Sequence, residues 1–223
     1  SLSLTCRPQT KGNKVMVEVL PIKSEETRQW FLQKHYMKRM PLIMFAFGLY
    51  ENNYLIGVIS YGAPASPHLA RGVCGEEHAL DVLELNRLCL DSNEKNMASI
   101  LIARSMKLLP PPKIIVSYAD TKAGHIGYVY QATNFIYTGL SAKRKDPVGF
   151  DTSGGKLARH SRGHWGKDLV DRPRKHRYVN FVGNKRQKKD LRSQLRYEAQ
   201  PYPKGESKTY EAGDSVETQI LLF

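Results

Sequence analysis

The sequence predicts a mixed α/β domain, a central and largely apolar sheet flanked by helices, with a basic C-terminal extension. Three observations carry this. Strand-like apolar runs recur, first "KVMVEVLPI" and then "LIMFAFGLY" and "YLIGVISYG", the last two split by Glu51, Asn52 and Asn53. Between strands lie segments with helical spacing, the clearest being Met97, Ile100, Leu101, Arg104 and Leu108, halted by Pro110, Pro111 and Pro112. Charge is uneven: of the net +13, the stretch from Lys156 to Lys204 carries +11, 15 basic residues against Asp168, Asp171, Asp190 and Glu198.

The elements follow in order. After the first strand, Ser24 is a candidate N-cap, with Glu25 and Glu26 in the first turn of a helix that runs toward Pro41. The Glu51-Asn52-Asn53 break marks a hairpin between two central strands. "APASPHLARGVCGEEH" reads as a proline- and glycine-rich loop, and "ALDVLELNRLCL" as a fourth strand. The helix ending at the three prolines comes next, then "KIIVSYAD" as a fifth strand, "GYVYQATN" as a short helix, "FIYTGLSA" and "HRYVNFV" as further strands, and "KRQKKDLRSQLRYEA" as an exposed final helix. This divides the chain into an arm (1–14), a folded domain (15–183) with a basic loop at 143–175, and a basic helix and polar tail (184–223).

A chain of 223 residues buries enough surface for one full core without disulfides. Cys6, Cys74 and Cys89 are odd in number and lack metal-ligand spacing, so Cys89 in "ELNRLCL" reads as core. With no run near the length of a membrane span and no apolar leader, the expectation is a soluble, cytoplasmic protein with no membrane partner. The basic segment, interleaved with Trp165, Tyr178, Phe181 and Tyr197, suits a phosphate backbone with bases to stack on. Its candidate DNA-binding residues are Arg174, Lys175, Arg177, Lys185, Arg186, Lys188 and Lys189.

One stretch, "SYADTKAGHIGYVYQATNFIYTG", sets four tyrosines beside an aspartate and a histidine, more proton-handling groups than scaffold needs. Asp120 closes the fifth strand, where α/β sheets display functional groups. It is the candidate to hold or deprotonate an amine. Ser117 and Tyr118 point to opposite faces, so one of them meets the site, while Tyr128 and Tyr137 are placed to stack on a base or donate a proton. Arg87 is the sole cation of its apolar strand and needs an anionic partner; Glu84, three residues away, belongs on the other face. His35, Glu84 and His125 are the candidate nitrogen and oxygen ligands for a metal, iron included.

The element order looks like that of the GNAT acyltransferases. More specifically, "ELNRL", the long segment "IIVSYADTKAGHIGYVYQATNFIYTGLSA" and the "HY...RMP" of His35, Tyr36, Arg39, Met40 and Pro41 resemble the Mom family of bacteriophage DNA modification proteins. That resemblance implies an enzyme adding a carbamoylmethyl (acetamido) group to the N6 amine of adenine, which protects phage DNA from restriction in the infected bacterial cell. The likeness to the acyltransferases implies acetyl-CoA or another acyl-type donor resting at the start of the helix at "LDSNEKNMAS", with Arg87, Ser92 and Asn96 as its contacts. That loop lacks the glycine-rich pattern of the acyltransferases, and simple acyl transfer joins N6 to a carbonyl carbon rather than to a methylene, so the donor stays open. The target adenine must be flipped or single-stranded to be reached. Two other readings remain at this point: an acyltransferase of the same fold acting on another amine, and a noncatalytic nucleic-acid binding protein.

Overall fold

A computed structural model describes residues 16–147 and 169–206. The N-terminal arm, most of the basic loop with Lys156, Arg159, Arg162, Trp165 and Lys167, and the tail from residue 207 lie outside the described residues. Seven strands form one sheet: β1 (Val17–Pro21), β2 (Phe45–Glu51), β3 (Tyr54–Gly62), β4 (Val82–Leu90), β5 (Lys113–Asp120), β6 (Ile136–Leu140) and, late in the chain, β9 (Lys175–Val182). The short strands β7 (Lys145–Pro147) and β8 (Leu169–Asp171) pair with each other. The order across the large sheet is β1-β2-β3-β4-β5-β9-β6, antiparallel throughout except for β4 beside β5. The expected mixed α/β sheet is thus present, and the expected seventh strand inserts between β5 and β6.

The hairpin turns where Asn52 and Asn53 take left-handed backbone angles, φ 48° and 69°, which asparagine tolerates best among residues with a side chain. Helices α1 (Pro67–Cys74), α2 (Met97–Leu108), α3 (Tyr128–Ala132) and α4 (Lys185–Ser193) cover the sheet. On one face Leu101, Ile102 and Met106 of α2 bury against Leu49, Ile59, Leu83, Leu85 and Ile115. On the other, Ala70 and Val73 of α1 and Leu191 of α4 cover Ile114, Val116, Val179 and Phe181. Beside them Trp30 and Phe31 close over Val58 and Cys89, and burial raises the Cys89 thiol to about 12, in keeping with a core cysteine. Among the described residues no helix is long and apolar enough to cross a membrane.

Two elements differ from expectation. The helix expected to run toward Pro41 is a 3-10 turn at Ser24–Thr27 and a wide π turn at Trp30–Lys34, closed by the His35 amide donating to the Trp30 carbonyl at 2.9 Å. Trp30 and Phe31 are adjacent in sequence and both buried, and the chain stops turning at His35, which is extended. The expected loop around Pro67 contains α1, whose start is marked by Ser66 accepting the Leu69 amide at 3.3 Å and by a proline in the first turn.

The feature that positions the site is where β4 and β5 stop pairing. Val82 to Leu85 align with Ile114 to Ser117, and no further. Beyond Leu85, β4 stays bonded to β3 as far as Leu90, and beyond Ser117, β5 stays bonded to β9 as far as Asp120. The two strands therefore part, and a wedge opens between them. Gly127, just before α3, holds the chain close against this part of the sheet: its φ is +81°, and a Cβ there would fall 2.4 Å from the Tyr178 ring. Gly127→Ala should cost roughly 2–4 kcal/mol from left-handed strain plus overpacking, read as a lowered urea midpoint. An unchanged midpoint would show that the turn moves aside freely.

Candidate active site

β3 aligns Ser60 with Arg87 and Tyr61 with Leu85, so Asn86 is an extra residue in β4. Its amide is pinned on both sides, accepting from Ser60 Oγ at 2.6 Å and donating to the Leu42 carbonyl at 2.8 Å. Such a bulge resets the alternation of side chains. Glu84 and Arg87 therefore come within electrostatic reach of each other, each favouring the other's charged form, instead of lying on opposite faces as a regular strand requires.

Arg87 is half-buried, and burial pulls it below its ordinary value. One Nη1–H donates to the Asn86 carbonyl at 2.6 Å, but the buried Nε has no partner among the described residues. An unmade bond at a buried donor costs about 1–3 kcal/mol, so this atom is poised for an acceptor that enters the wedge. Glu84 is raised by burial, against the pull of the Ala65 amide (3.3 Å to Oε2), Lys175 and Arg87. Tyr118 is raised by burial and then by Glu84, and so is a neutral phenol at working pH.

Asp120 lies at the end of β5 with both oxygens engaged. Oδ1 accepts the Lys122 amide at 3.0 Å, and Oδ2 meets the Lys175 ammonium at 3.0 Å. Lys175, expected on DNA, thus stands between Asp120 and Glu84, attracted to both. From the other side of the wedge come His35 and Tyr36. Their rings stack at 4.4 Å, and Tyr36 meets His125 edge-on at 5.3 Å. His35 is buried and accepts the Met37 amide at Nδ1 (3.0 Å), so its neutral ring carries the proton on Nε2. Burial, then Arg87 and His125, lower its pKa to about 3. His125 is lowered by burial, opposed by Asp120.

The structure thus gathers Glu84, Arg87, Tyr118, Asp120, His35 and His125. Among the described residues no three of His, Cys, Asp and Glu come together as a metal requires, so His35, Glu84 and His125 do not form the ligand set for which they were candidates. Ser117 faces the α2 side, buried, with its hydroxyl donating to the Leu85 carbonyl at 3.2 Å and bonded to Tyr130. Tyr128 is 70% exposed at the start of α3. Tyr137 is buried, its hydroxyl 2.8 Å from His176 Nδ1. Ser92 and Asn96 sit in the exposed loop before α2; Asn96 is its N-cap residue at φ +69° without a side-chain cap bond, and the neighbouring Asp91 is paired with Lys34. Arg174 and Arg177 are tied to β6 and its following residue, whereas Lys185, Arg186, Lys188 and Lys189 are exposed on α4. Sequence reasoning gave no role of its own to Tyr36, although it adjoins His35, or to Tyr130, which packs on the core and lies near Arg87 and Glu84.

Residues 16–204 match the model of the Mom protein family. The chain belongs to that family. A curated relative, methylcarbamoylase Mom of Escherichia phage Mu, is 29% identical over 187 residues, which cover 77% of each chain. Among solved structures, the N-acetyltransferase of Staphylococcus aureus Mu50 is similar with a TM-score of 0.44 and 14% identity, over 75% of this chain and 99% of that one. The ribosomal-protein-S18-alanine N-acetyltransferase of Escherichia coli is similar with a TM-score of 0.44 and 9% identity, over 76% and 98%. The Mom match takes in the whole wedge, from His35 and Tyr36 through Glu84 and Arg87 to Asp120, His125 and Lys175.

The buried His35 makes a pH-dependent contribution to stability. Its folded value, about 3, lies below the ordinary 6.5, so the unfolded chain takes up the proton first. Stability is fully present above pH 6.5 and is lost as pH falls toward 3, at up to about 1.4 kcal/mol per pH unit. His35→Gln should remove that share of the slope between about pH 6.5 and 5, above the main carboxylate range. Urea midpoints measured across this interval check it; an unaltered slope would mean that His35 is protonated in the folded protein.

Proposed function

We propose that the protein is a transferase that places a carbamoylmethyl-type group on the N6 amine of adenine in DNA, working on a base that is flipped out or single-stranded. The observation that carries this is the convergence of Glu84, Arg87, Tyr118, Asp120, His35 and His125 on the parted ends of β4 and β5, in a chain of the Mom family. The relative named methylcarbamoylase supports the group transferred.

The chemistry follows from the acceptor. The N6 lone pair of adenine is delocalised into the ring, so the amine attacks only as a base removes its proton. Glu84 fits that role, since a carboxylate raised by burial is a stronger base than an exposed one. The N6–H bond breaks toward Glu84 as the N6–C bond forms at the methylene, and the leaving group departs from that carbon. Arg87 Nε, without a partner among the described residues, fits the amide carbonyl oxygen of the transferred group. Tyr118 supplies a neutral phenolic donor, and Asp120 holds Lys175 near Glu84. Tyr36, between the rings of His35 and His125, offers an aromatic wall for the base. An acyl-CoA-type donor would supply an activated two-carbon unit, with Ser92 and Asn96 in the loop before α2 and Arg87 in the wedge as its candidate contacts. Attachment through its carbonyl would give N6-acetyladenine, so the methylene linkage calls for a donor with its leaving group on that carbon or for a further step.

Nucleoside mass analysis of DNA from cells expressing the protein tests the reading. The parent should yield an adenine heavier by one carbamoylmethyl group, and Glu84→Gln should lower its level about a hundredfold or more at equal expression. Asp120→Asn should fall as well, through the loss of Lys175. Unmodified DNA from well-expressed parent would reject the function, acetyladenine would reject the methylene linkage, and full modification by Glu84→Gln would reject the base.

A further inference from the structure

Across Tyr118 from the wedge lies a second polar recess. A cleft of about 440 Å³ opens between β6, β9 and the chain that follows α4, lined by Thr138, Leu140, Arg174, Arg177, Arg196 and Tyr197. Two of its guanidiniums are fixed by the strand below. Arg174 donates from Nε to the Ser141 carbonyl at 2.6 Å and from Nη2 to the Leu140 carbonyl at 3.1 Å. Arg177 donates from Nε to Thr138 Oγ1 at 2.8 Å and from Nη2 to the Thr138 carbonyl at 3.0 Å, and it lies 3.3 Å from the centre of the Tyr197 ring. In neither case is the hydrogen-bond partner an acid, and among the described residues neither guanidinium is in an ion pair. Each leaves Nη1 without a protein hydrogen bond among the described residues.

Arg196 completes the group. It is exposed, and its main chain is anchored by its amide donating to the Val73 carbonyl at 2.8 Å. Glu198 is the one acidic residue in the lining, so three cations face one carboxylate. Preordered guanidinium forks with spare donors match a phosphate better than a diffuse basic face does. Location then selects among phosphates. Arg177 pairs directly opposite Tyr118, and Tyr118 senses both Glu84 and Arg177. From Arg177 to Glu84 is two strand spacings across and two residues along β5, roughly 12 Å between backbones, which the two side chains shorten toward the reach from the phosphate of a nucleotide to the edge of its base.

We propose that this recess holds a phosphodiester of the DNA strand beside the target adenine, gripped by Arg174, Arg177 and Arg196, while the base itself lies across Tyr118 in the wedge. The inference rests on the DNA reading above and adds the contact that sets the register of the strand. The exposed cations of α4 then serve the more distant backbone.

The test is binding of a fluorescein-labelled single-stranded oligonucleotide with one adenine, followed by anisotropy at several salt concentrations. Arg196→Gln should weaken binding and flatten the slope of log affinity against log salt by about 0.7, the value for one phosphate on a single strand, and Arg196→Lys should restore it. A neutral methylphosphonate scanned through the oligonucleotide should weaken the parent at one position next to the adenine and leave Arg196→Gln unaffected there. Equal affinity and slope for parent and Arg196→Gln would overturn the proposal, as would a methylphosphonate scan identical in the two proteins. Displacement of the oligonucleotide by coenzyme A in the parent but not in Arg196→Gln would also overturn it, since the donor's phosphates would then own the recess. A parent that binds no oligonucleotide at any salt would remove the DNA reading itself, and this inference with it.

Discussion

Hydrogen bonding between β4 and β5 ends at Leu85 and Ser117, and the position of every candidate group follows from that end point. Each strand keeps its outer neighbour, β3 or β9, and so stays hydrogen-bonded on that side while its inner edge faces the wedge. A groove of this kind needs no flexible loop to form it. Glu84 lies on the paired side of the end point, opposite Val116, whereas Arg87 on β4 and Tyr118 and Asp120 on β5 lie on the parted side. The bulge at Asn86 completes the arrangement: without the extra residue, Arg87 would turn into the opposite face and leave Glu84 alone.

The wedge also balances charge in a partly buried space. Arg87 next to a protonated His35 would put two cations together in low dielectric, and His35 accordingly stays neutral. Lys175 is drawn between two carboxylates, one held by its ion pair and the other raised by burial. The two acids thus have different environments on one surface, which is how a site separates a group that orients from a group that takes a proton. Among the described residues the buried Arg87 Nε has no acceptor, and a buried donor left unpaired is a local cost to a folded chain.

Much of the fold was legible because its signals are local. Asn52 and Asn53 mark the hairpin, the three prolines end α2, and Asn184 with Gln187 forms the capping box that starts α4. What failed to show was non-local. Nothing near β9 says that it inserts between β5 and β6, because that pairing joins residues far apart in sequence. The helix expected to run toward Pro41 was lost to the burial of adjacent Trp30 and Phe31, and α1 was hidden by the glycines and prolines around it despite Ser66 and Pro67. In the site, Asp120, Tyr118, Arg87, His35, His125 and Glu84 were all visible as residue types in unusual company. Their relations were not: the Glu84–Arg87 approach depends on a bulge, and Lys175 reaches Asp120 only because β9 lies beside β5. Tyr137 and Ser117 were singled out for their hydroxyls, which the fold engages with His176 and the Leu85 carbonyl.

On the proposed reading the target adenine enters between the parted ends of β4 and β5. The most direct measurement is photocrosslinking of an oligonucleotide carrying 8-azidoadenine at its only adenine, with the attached residues mapped by peptide mass analysis. Attachment is expected at the segments containing Tyr36, Tyr118 or His125, suppressed by an unlabelled oligonucleotide that retains the adenine. Attachment confined to α4, or spread evenly over the basic surface, would contradict it.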